Sequence, residues 1–195
     1  MRTHRTLRIT SPRAAGSASR MAGFSVVELM VTVTVAAVLA AVAIPSMRTF
    51  LQNDRMWTEQ NALVMSLNAA RSEAIKQDVV GGVLVCASSD GLTCNTANWS
   101  SGWIVALAPP AAGAPLQSVT ALPVSNTLKE NNGRTQIVFL SNGTVQGQVA
   151  GQFTFCDQRG GGNARYTEVA AFGRIVSAPS STPGRDLTGA ALVCP

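Results

Sequence analysis

The sequence predicts an α+β fold in which one long N-terminal α-helix packs on antiparallel β-sheet. Two observations in the 195-residue chain predict it. A 21-residue apolar run, residues 24–44, leads into a stretch with helical spacing of apolar residues that ends near Gln77. Short β-forming runs separated by Gly, Pro and Asn then fill residues 78–195. With 46% apolar and 13% charged residues, the chain is too apolar for a disordered protein.

The excess positive charge of the chain lies in residues 1–23. That segment carries no acidic residue and five arginines, namely Arg2, Arg5, Arg8, Arg13 and Arg20. The remaining ten Lys and Arg residues are balanced by ten Asp and Glu residues in the rest of the chain. The sequence pI of about 9.6 therefore reflects the N-terminal segment and not a nucleic-acid-binding surface.

The apolar run 24–44 is long enough to cross a membrane. As a helix it measures about 32 Å at 1.5 Å per residue, against a hydrocarbon core of about 30 Å. The run exceeds the ~7–15 residues of a secretory signal, so we expect it to be retained. The arginines before it predict a cytoplasmic N-terminus and export of the remainder of the chain. We expect a single-pass inner-membrane protein with residues 78–195 in the periplasm.

Glu28 is the one charged residue in this run, and it needs a partner. A carboxylate near the centre of a membrane helix costs roughly 2.5–3.5 kcal/mol, and less near its end. The residues around it read GFSVVE, from Gly23 to Glu28. This stretch, with its basic leader, about 20 apolar residues and then Pro45, resembles the processing site of type IV prepilins.

The resemblance implies a role for each residue of that motif. Prepilin peptidase would cleave after Gly23, so that residues 1–23 are a leader, and Phe24 would become the N-methylated first residue. Glu28 would then be fifth in the mature chain. Its carboxylate can pair with the Phe24 ammonium of its own or a neighbouring subunit during assembly. Met1 is the preferred start, because a start at Met21 leaves a three-residue leader without charge.

Residues 45–77 are predicted as the amphipathic half of the helix. Pro45 lacks a backbone donor and is expected to kink or locally melt the helix. A core-facing stripe follows with spacings of four, three and four residues: Leu63, Leu67, Ala70 and Ala74. The sequence ARSEAIK, residues 70–76, is similar to the helix end of the GspH/FimT branch of the pilin superfamily. The implied fold is type IV pilin-like.

Residues 78–195 are predicted as a β-rich globular region. The strand candidates are residues 79–86, 103–107, 136–140, 144–149, 152–156 and 167–172. Asn142-Gly143 predicts a hairpin with a type I′ turn, which requires positive φ. Trp99 and Trp103 are expected in an aromatic core. Residues 108–115 and 177–184 are proline-rich loops.

The four cysteines are expected to be oxidised in the periplasm, and they allow three pairings. Cys86 and Cys94 flank a Ser-Ser-Asp-Gly turn, which favours a local loop. Cys156–Cys194 would then tie the C-terminal tail to the sheet. Chain entropy gives these loops about 2.5 and about 4 kcal/mol. Cys86–Cys194 with Cys94–Cys156 stays open as the alternative.

The sequence indicates neither an enzyme nor a cofactor or metal site. The one histidine, His4, lies in the segment predicted to be removed, so a Ser-His or Cys-His pair is not expected in the mature chain. Neither a Walker motif nor GxGxxG is present, and no cysteine pair has CxxC spacing.

The resemblance implies a minor type IV pilin that primes the pilus or is incorporated in it. Its partners would be other major and minor pilins, prepilin peptidase and the inner-membrane assembly platform, and the assembled protein would reach the cell surface. Two alternatives remain. One is a GspH-like minor pseudopilin of type II secretion, and the other is a purely structural assembly or tip subunit without DNA binding.

A DNA-uptake function is the third hypothesis. Some similar minor pilins bind double-stranded DNA through a C-terminal Gly-Arg-x-Arg motif, and this chain has Gly173-Arg174-Ile175-Val176, with Val176 in place of the second arginine. Arg159, Arg165 and Arg185 complete the candidate set of cations. Such binding would be independent of sequence, since the contacts would be to phosphates, and would serve natural transformation.

Overall fold

The computed structural model describes residues 23–78, 81–109, 114–179 and 181–194. Of the predicted leader, only Gly23 falls within these ranges. The chain divides into two compact units, residues 1–45 and Ser46–Pro195. We call Ser46–Pro195 the head. One helix, α1 (Val26–Gln77), supplies residues to both units.

Helix α1 is continuous over 52 residues and contains Pro45. Ser25 precedes it and accepts a hydrogen bond from the Val27 N–H at 3.3 Å through its Oγ. Of the two outcomes expected at Pro45, local melting is therefore wrong, and a kink stays a prediction. A proline removes one backbone donor, and the turns on both sides of Pro45 keep their helical conformation.

The C-terminal part of α1 presents one buried face to the head, as its spacing predicts. The buried residues recur every three or four positions: Met56, Gln60, Leu63, Leu67, Ala70 and Ala74. Their apolar members belong to one core cluster with residues of both β-sheets. This packing confirms the predicted helix on antiparallel sheet.

The first sheet has four antiparallel strands in the order β3-β2-β1-β5. The strands are β1 (Val83–Ala87), β2 (Gly102–Leu107), β3 (Gln117–Thr120) and β5 (Gln136–Phe139). Strand β1 is buried on both faces. Val83 and Val85 join the main core, and Leu84 and Cys86 form a smaller cluster on the other face with Ile104.

The second sheet also has four antiparallel strands, in the order β4-β6-β7-β8. They are β4 (Thr127–Glu130), β6 (Gly151–Cys156), β7 (Arg165–Val169) and β8 (Ile175–Ser177). Trp99 packs edge-on against Phe153 of β6, with ring centroids 4.9 Å apart. Trp99 and Trp103 are both buried, which confirms the predicted aromatic core.

Several predicted strands have different bounds. Among the described residues, the strand expected over 79–86 begins at Val83, because Gly81 and Gly82 have φ of 98° and 88°, outside the β region; residues 79 and 80 lie outside the described residues. The strand expected over 144–149 is reduced to one bridge at Val145 and a 3-10 turn, Gln146–Gln148. The strand expected over 167–172 is β7, which ends at Val169 before a turn closed by the Gly173 N–H and the Ala170 carbonyl.

The turn at Asn142-Gly143 is present but is not type I′. The Gly143 N–H donates to the Leu140 carbonyl at 2.8 Å, so Ser141 and Asn142 are the central residues. Only Gly143 has positive φ, at 76°, whereas type I′ needs it at both central positions. The turn brings Val145 opposite Phe139 in a single bridge.

Both expected disulfides are present. Cys86–Cys94 closes a short loop at the end of β1, and Cys156–Cys194 joins the end of β6 to the C-terminal tail. No free cysteine occurs among the described residues. The alternative pairing is thus excluded in this structure. The second bond holds the tail that contains Arg185 against the second sheet.

Candidate functional site

The N-terminal part of α1 exposes apolar side chains over its whole circumference. Every described residue from Gly23 to Phe50 is exposed, including Phe24 at 76% and Val42 at 73%. The helix contains an 18-residue window with mean hydropathy 2.4, long and apolar enough to cross a membrane. A surface of this kind requires lipid or other apolar helices around it.

Glu28 lies in the first turn of α1, one turn after Phe24. A carboxylate at this position is favoured by the unpaired N–H groups of the helix start. The side chain is exposed among apolar neighbours. Gly23 and Phe24 thus lie just before the apolar helix and Glu28 in its first turn, and all three residues are exposed.

The four arginines considered for DNA binding do not form one patch. Arg165 begins β7 and Arg174 follows the turn at the other end of that strand. The Gly184 N–H bonds to the Ala164 carbonyl, which places Arg185 near the Arg165 end. Arg174 is therefore separated from the others by the length of β7, and DNA binding by these arginines stays a prediction.

Arg159 is committed to contacts within the head. Its guanidinium binds the Asp157 carboxylate, with Nε and Nη2 at 2.8 and 2.6 Å from Oδ2. Its Nη1 donates to Asn53 Oδ1 of α1 at 2.9 Å. These bonds fasten the β6–β7 loop to the helix. A phosphate would have to compete with a carboxylate already in place.

Arg165 is likewise engaged, with an aromatic ring. Its guanidinium carbon lies 4.5 Å from the centroid of the Trp57 ring on α1. Burial, followed by the nearby Arg159 charge, lowers the pKa of Arg165. The stacked pair extends the contact that Arg159 makes with the same helix.

Arg174 and Arg185 are exposed, but their surroundings differ. Arg185 Nη1 donates to the Gly189 carbonyl in the tail. Arg174 follows Gly173, whose φ is 75° and whose added Cβ would lie 1.9 Å from the Gly143 carbonyl oxygen. Arg71 of α1 donates from Nε to that same oxygen at 3.1 Å. Arg71, which the sequence did not single out, thus lies beside Gly173, the residue before Arg174.

Val176, at the second position of the candidate motif, lies in β8 opposite Glu168. An arginine there would face a carboxylate across the sheet. Arg71 and Arg174 are the two cations that the chain brings to the Gly143 and Gly173 turns at this end of the second sheet. Two cations are a small set for DNA, whose contacts usually involve more phosphates.

Glu59 is a further residue that sequence reasoning missed. It is 8% exposed, and its Oε1 accepts a hydrogen bond from Asn126 Nδ2 at 2.6 Å. Burial raises its pKa, against the hydrogen bond from Asn126 and the charge of Arg55. The signal in the sequence was its position four residues before Leu63, on the flank of the buried stripe.

The comparisons with known proteins agree with this architecture. The family model described as type II transport protein GspH matches residues 59–173. No curated protein matches the chain. Two crystal structures of the type IV minor pilin FimU from Pseudomonas aeruginosa, strain PAO1, are similar to it in fold.

The similarity to FimU covers the larger part of both proteins. The crystal form in space group P65 has a TM-score of 0.52 and 27% identity, over 66% of this chain and 94% of that chain. The form in P21 has a TM-score of 0.50 and 28% identity, over 65% and 96%. Since the GspH model also covers more than half of the residues, the chain belongs to the GspH family and is a GspH/FimT/FimU-like minor pilin or pseudopilin.

Proposed function

We propose that this protein is a minor subunit of a type IV pilus. The observation that carries the proposal is the likeness of this chain to FimU, which extends over 94% of the FimU chain. The exposed apolar helix before the head supports it, because such a helix can be held first by the inner membrane and later by the helices of a filament.

In this proposal the N-terminus matures in three steps. Prepilin peptidase cleaves after Gly23, Phe24 is N-methylated, and the assembly platform in the inner membrane takes up the helix. The Glu28 carboxylate then pairs with the Phe24 ammonium of its own or an adjacent subunit. That pairing offsets the cost of a carboxylate in an apolar bundle.

Glu28→Ala is expected to leave cleavage intact and to remove the protein from pili. The peptidase acts after Gly23, which lies five residues before the substitution, whereas the filament loses the acceptor for the ammonium. Immunoblots of sheared pili and of membranes, probed for the head, measure the two steps separately. Ser25→Ala, three residues away, is the matched control and should be incorporated normally. Wild-type amounts of Glu28→Ala in sheared pili would contradict the pairing.

The type II secretion function is the second candidate, favoured by the description of the matching family model. The two candidates differ in where the head is found. A pilus subunit is recovered in sheared surface filaments, and its deletion reduces piliation. A pseudopilin stays with the cell envelope, and its deletion blocks protein export while piliation continues.

A DNA-binding function would depend on two cations, Arg71 and Arg174, which is few for binding a duplex. The geometry therefore favours a structural assembly subunit without DNA binding. The test uses the head, residues 46–195. This unit contains the main core cluster and both disulfides, which supports its use as an isolated domain. The FimU crystal structure supports it too, since 94% of that chain is matched by 66% of the present chain.

We expect the head to bind double-stranded DNA more weakly than micromolar at about 150 mM salt, with a salt slope no steeper than about −2. That slope corresponds to two phosphate contacts at about −0.9 each. Fluorescence anisotropy at several salt concentrations measures it. Arg174→Ala should reduce what binding there is, and Lys129→Ala on β4 is the control. Micromolar binding with a slope near −4 that Arg174→Ala abolishes would instead support a DNA-uptake pilin.

A further inference from the structure

A pocket in the head lies between the 3-10 turn Trp99–Ser101 and the strand β4, and the proposed function does not use it. Its volume is about 330 Å³. Ala97 and Asn98, before the turn, and Gly133 and Arg134, in the loop after β4, line it. Because β4 is the first strand in the order β4-β6-β7-β8, the pocket lies at an edge of the second sheet.

Arg134 brings to this pocket a guanidinium without a hydrogen-bond partner among the described residues. The residue is half-buried, and its Nε is fully buried and unbonded. Its Nη1 and Nη2 are also unbonded within the described ranges, but they are not buried, so a group that enters the pocket can reach them. A guanidinium that has lost part of its water without gaining an acceptor is unfavourable in the isolated subunit, so an acceptor supplied from outside would be favoured.

The backbone of Arg134 is held on both sides. Its N–H donates to Glu130 Oε2 at 2.6 Å, and its carbonyl accepts a hydrogen bond from the Trp99 indole N–H at 2.8 Å. Trp99 is itself 1% exposed and packs in the main core. The guanidinium therefore extends from a rigid base, and only the side chain has to be ordered when a ligand binds.

The acidic residue that lines the pocket does not satisfy this guanidinium. Glu130 is 3% exposed, and backbone N–H groups occupy both of its oxygens, that of Arg134 at Oε2 and that of Gln152 at Oε1. No salt bridge joins Glu130 to Arg134 in the described part of the chain. Lys129 lines the pocket as a second cation, so the charged residues around it carry a net positive charge.

The free donors of the pocket match a carboxylate. Nη1 and Nη2 of Arg134 can make two parallel N–H···O bonds to the two oxygens of one carboxylate. The Asn98 amide is oriented by its Oδ1, which accepts a hydrogen bond from the Ser100 N–H at 3.0 Å, so its Nδ2 faces away from that bond as a further donor at the rim. A phosphate group has more oxygens to satisfy, and the buried Nε is closed to it.

We propose that this pocket binds the carboxylate of an aspartate or glutamate side chain from a neighbouring pilin subunit. The two carboxylate oxygens accept hydrogen bonds from Nη1 and Nη2 of Arg134, and the positive charge of Lys129 favours the approach of the acidic side chain. The identity of the partner as a pilin rests on the proposed function above, whereas the ligand chemistry rests on the pocket alone.

The test is an NMR titration of the ¹⁵N-labelled head with N-acetyl-glutamate methylamide, which carries one carboxylate. The Trp99 indole N–H, bonded to the Arg134 carbonyl, and the Asn98 and Gly133 amides report on the pocket. We expect saturable shifts of these signals with a dissociation constant in the millimolar range, because a single ion pair forms at a partly solvated site. N-acetyl-glutamine methylamide, which is uncharged, and inorganic phosphate should bind at least about fivefold more weakly.

Arg134→Gln should weaken binding of the glutamate probe by about tenfold or more, since it removes the guanidinium charge. The fold should be kept, because Glu130 and Trp99 bond to the backbone of this residue and not to its side chain. Amide spectra that match the wild type away from the pocket check this. Arg174→Gln, at an exposed arginine that does not line the pocket, is the matched control and should bind as wild type.

Three results of the titration would overturn the proposal. Equal binding of the glutamine probe would show that the charge of the ligand does not matter. Tighter binding of inorganic phosphate would assign the pocket to a different anion. Unchanged binding of the glutamate probe by Arg134→Gln would show that the guanidinium does not hold the ligand.

The same variant in cells separates this inference from the proposed function. Arg134→Gln should be cleaved normally and be depleted from sheared pili by about fivefold or more, whereas Arg174→Gln should be incorporated normally. Normal incorporation of Arg134→Gln would reject the pocket as a subunit contact and leave the pilin function standing. Absence of the wild-type head from surface filaments would reject the pilin function, while the titration of the head would still decide the ligand.

Discussion

Replacing Gly23 with valine is expected to abolish removal of the leader. The resemblance places the cut directly after this residue, and a branched side chain at the cut would prevent the scissile bond from entering the peptidase. The uncleaved chain would keep five arginines on the cytoplasmic side of the membrane and would have no ammonium at Phe24. We therefore expect both the mature form and surface display to fall to background.

Gly23→Val tests recognition by the peptidase without a steric effect on the folded chain. A Cβ at Gly23 would meet no atom within 4 Å, so the change does not disturb the described chain. Gly162→Val is the matched control, because Gly162 also has open space around its Cβ and does not have positive φ. Intact mass spectrometry of the membrane-extracted protein distinguishes a chain that begins at Met1 from one that begins at Phe24. Cleavage of Gly23→Val at the wild-type level would refute the prepilin processing site.

The helix and the disulfides were predictable because their signals are local. The buried stripe through Leu63 and Ala70 repeats at the helical period, and it lies within one element. Cys86 and Cys94 are eight residues apart across a turn, which favours a bond between them. Once these two are paired, Cys156 and Cys194 remain as partners of each other. The buried strand β1 was also visible as a continuous apolar run, apart from the glycines that delay its start.

The edge strands β3 and β4 could not be predicted, since their residues carry little apolar signal. Strand β3 reads QSVT and β4 reads TLKE, and half or more of their side chains are solvated. Such a strand is specified by its pairing with another segment, and for β4 that segment is the distant strand β6. Strand β7 was expected to continue to residue 172 because the sequence VAAF, residues 169–172, continues the apolar pattern. In the structure the strand ends at Val169, and the following residues form a turn.

The arrangement of the candidate cations depended on contacts far apart in sequence. Arg159 binds Asn53 from 106 residues away, and Glu59 meets Asn126 from 67 residues away. Spacing along the chain gives no information on such pairs. The sequence therefore suggested the arginines as one set, and the fold divides them between two ends of a sheet.

Trp99→Ala is expected to lower the free energy of unfolding of the head by about 3–5 kcal/mol. Trp99 is 1% exposed and follows the first-sheet strand β1, yet its ring packs on Phe153 of the second sheet. Its indole N–H also donates to the Arg134 carbonyl at 2.8 Å. Removing the Trp99 side chain leaves a large cavity between the sheets and an unpaired Arg134 carbonyl, and both effects lower the free energy of unfolding.

Trp57→Ala provides the control, because it removes the same side chain from the surface of the same domain. Trp57 is 39% exposed, and its main described contact is the stacked guanidinium of Arg165, worth about 0.5–1 kcal/mol. Urea unfolding of the oxidised head, followed by circular dichroism, should separate the two variants by at least about 2 kcal/mol. Equal losses would mean that Trp99 does not join the two sheets. In that case the packing of the second sheet, which holds the tail and Arg174, would depend on the Cys156–Cys194 bond and on the helix instead.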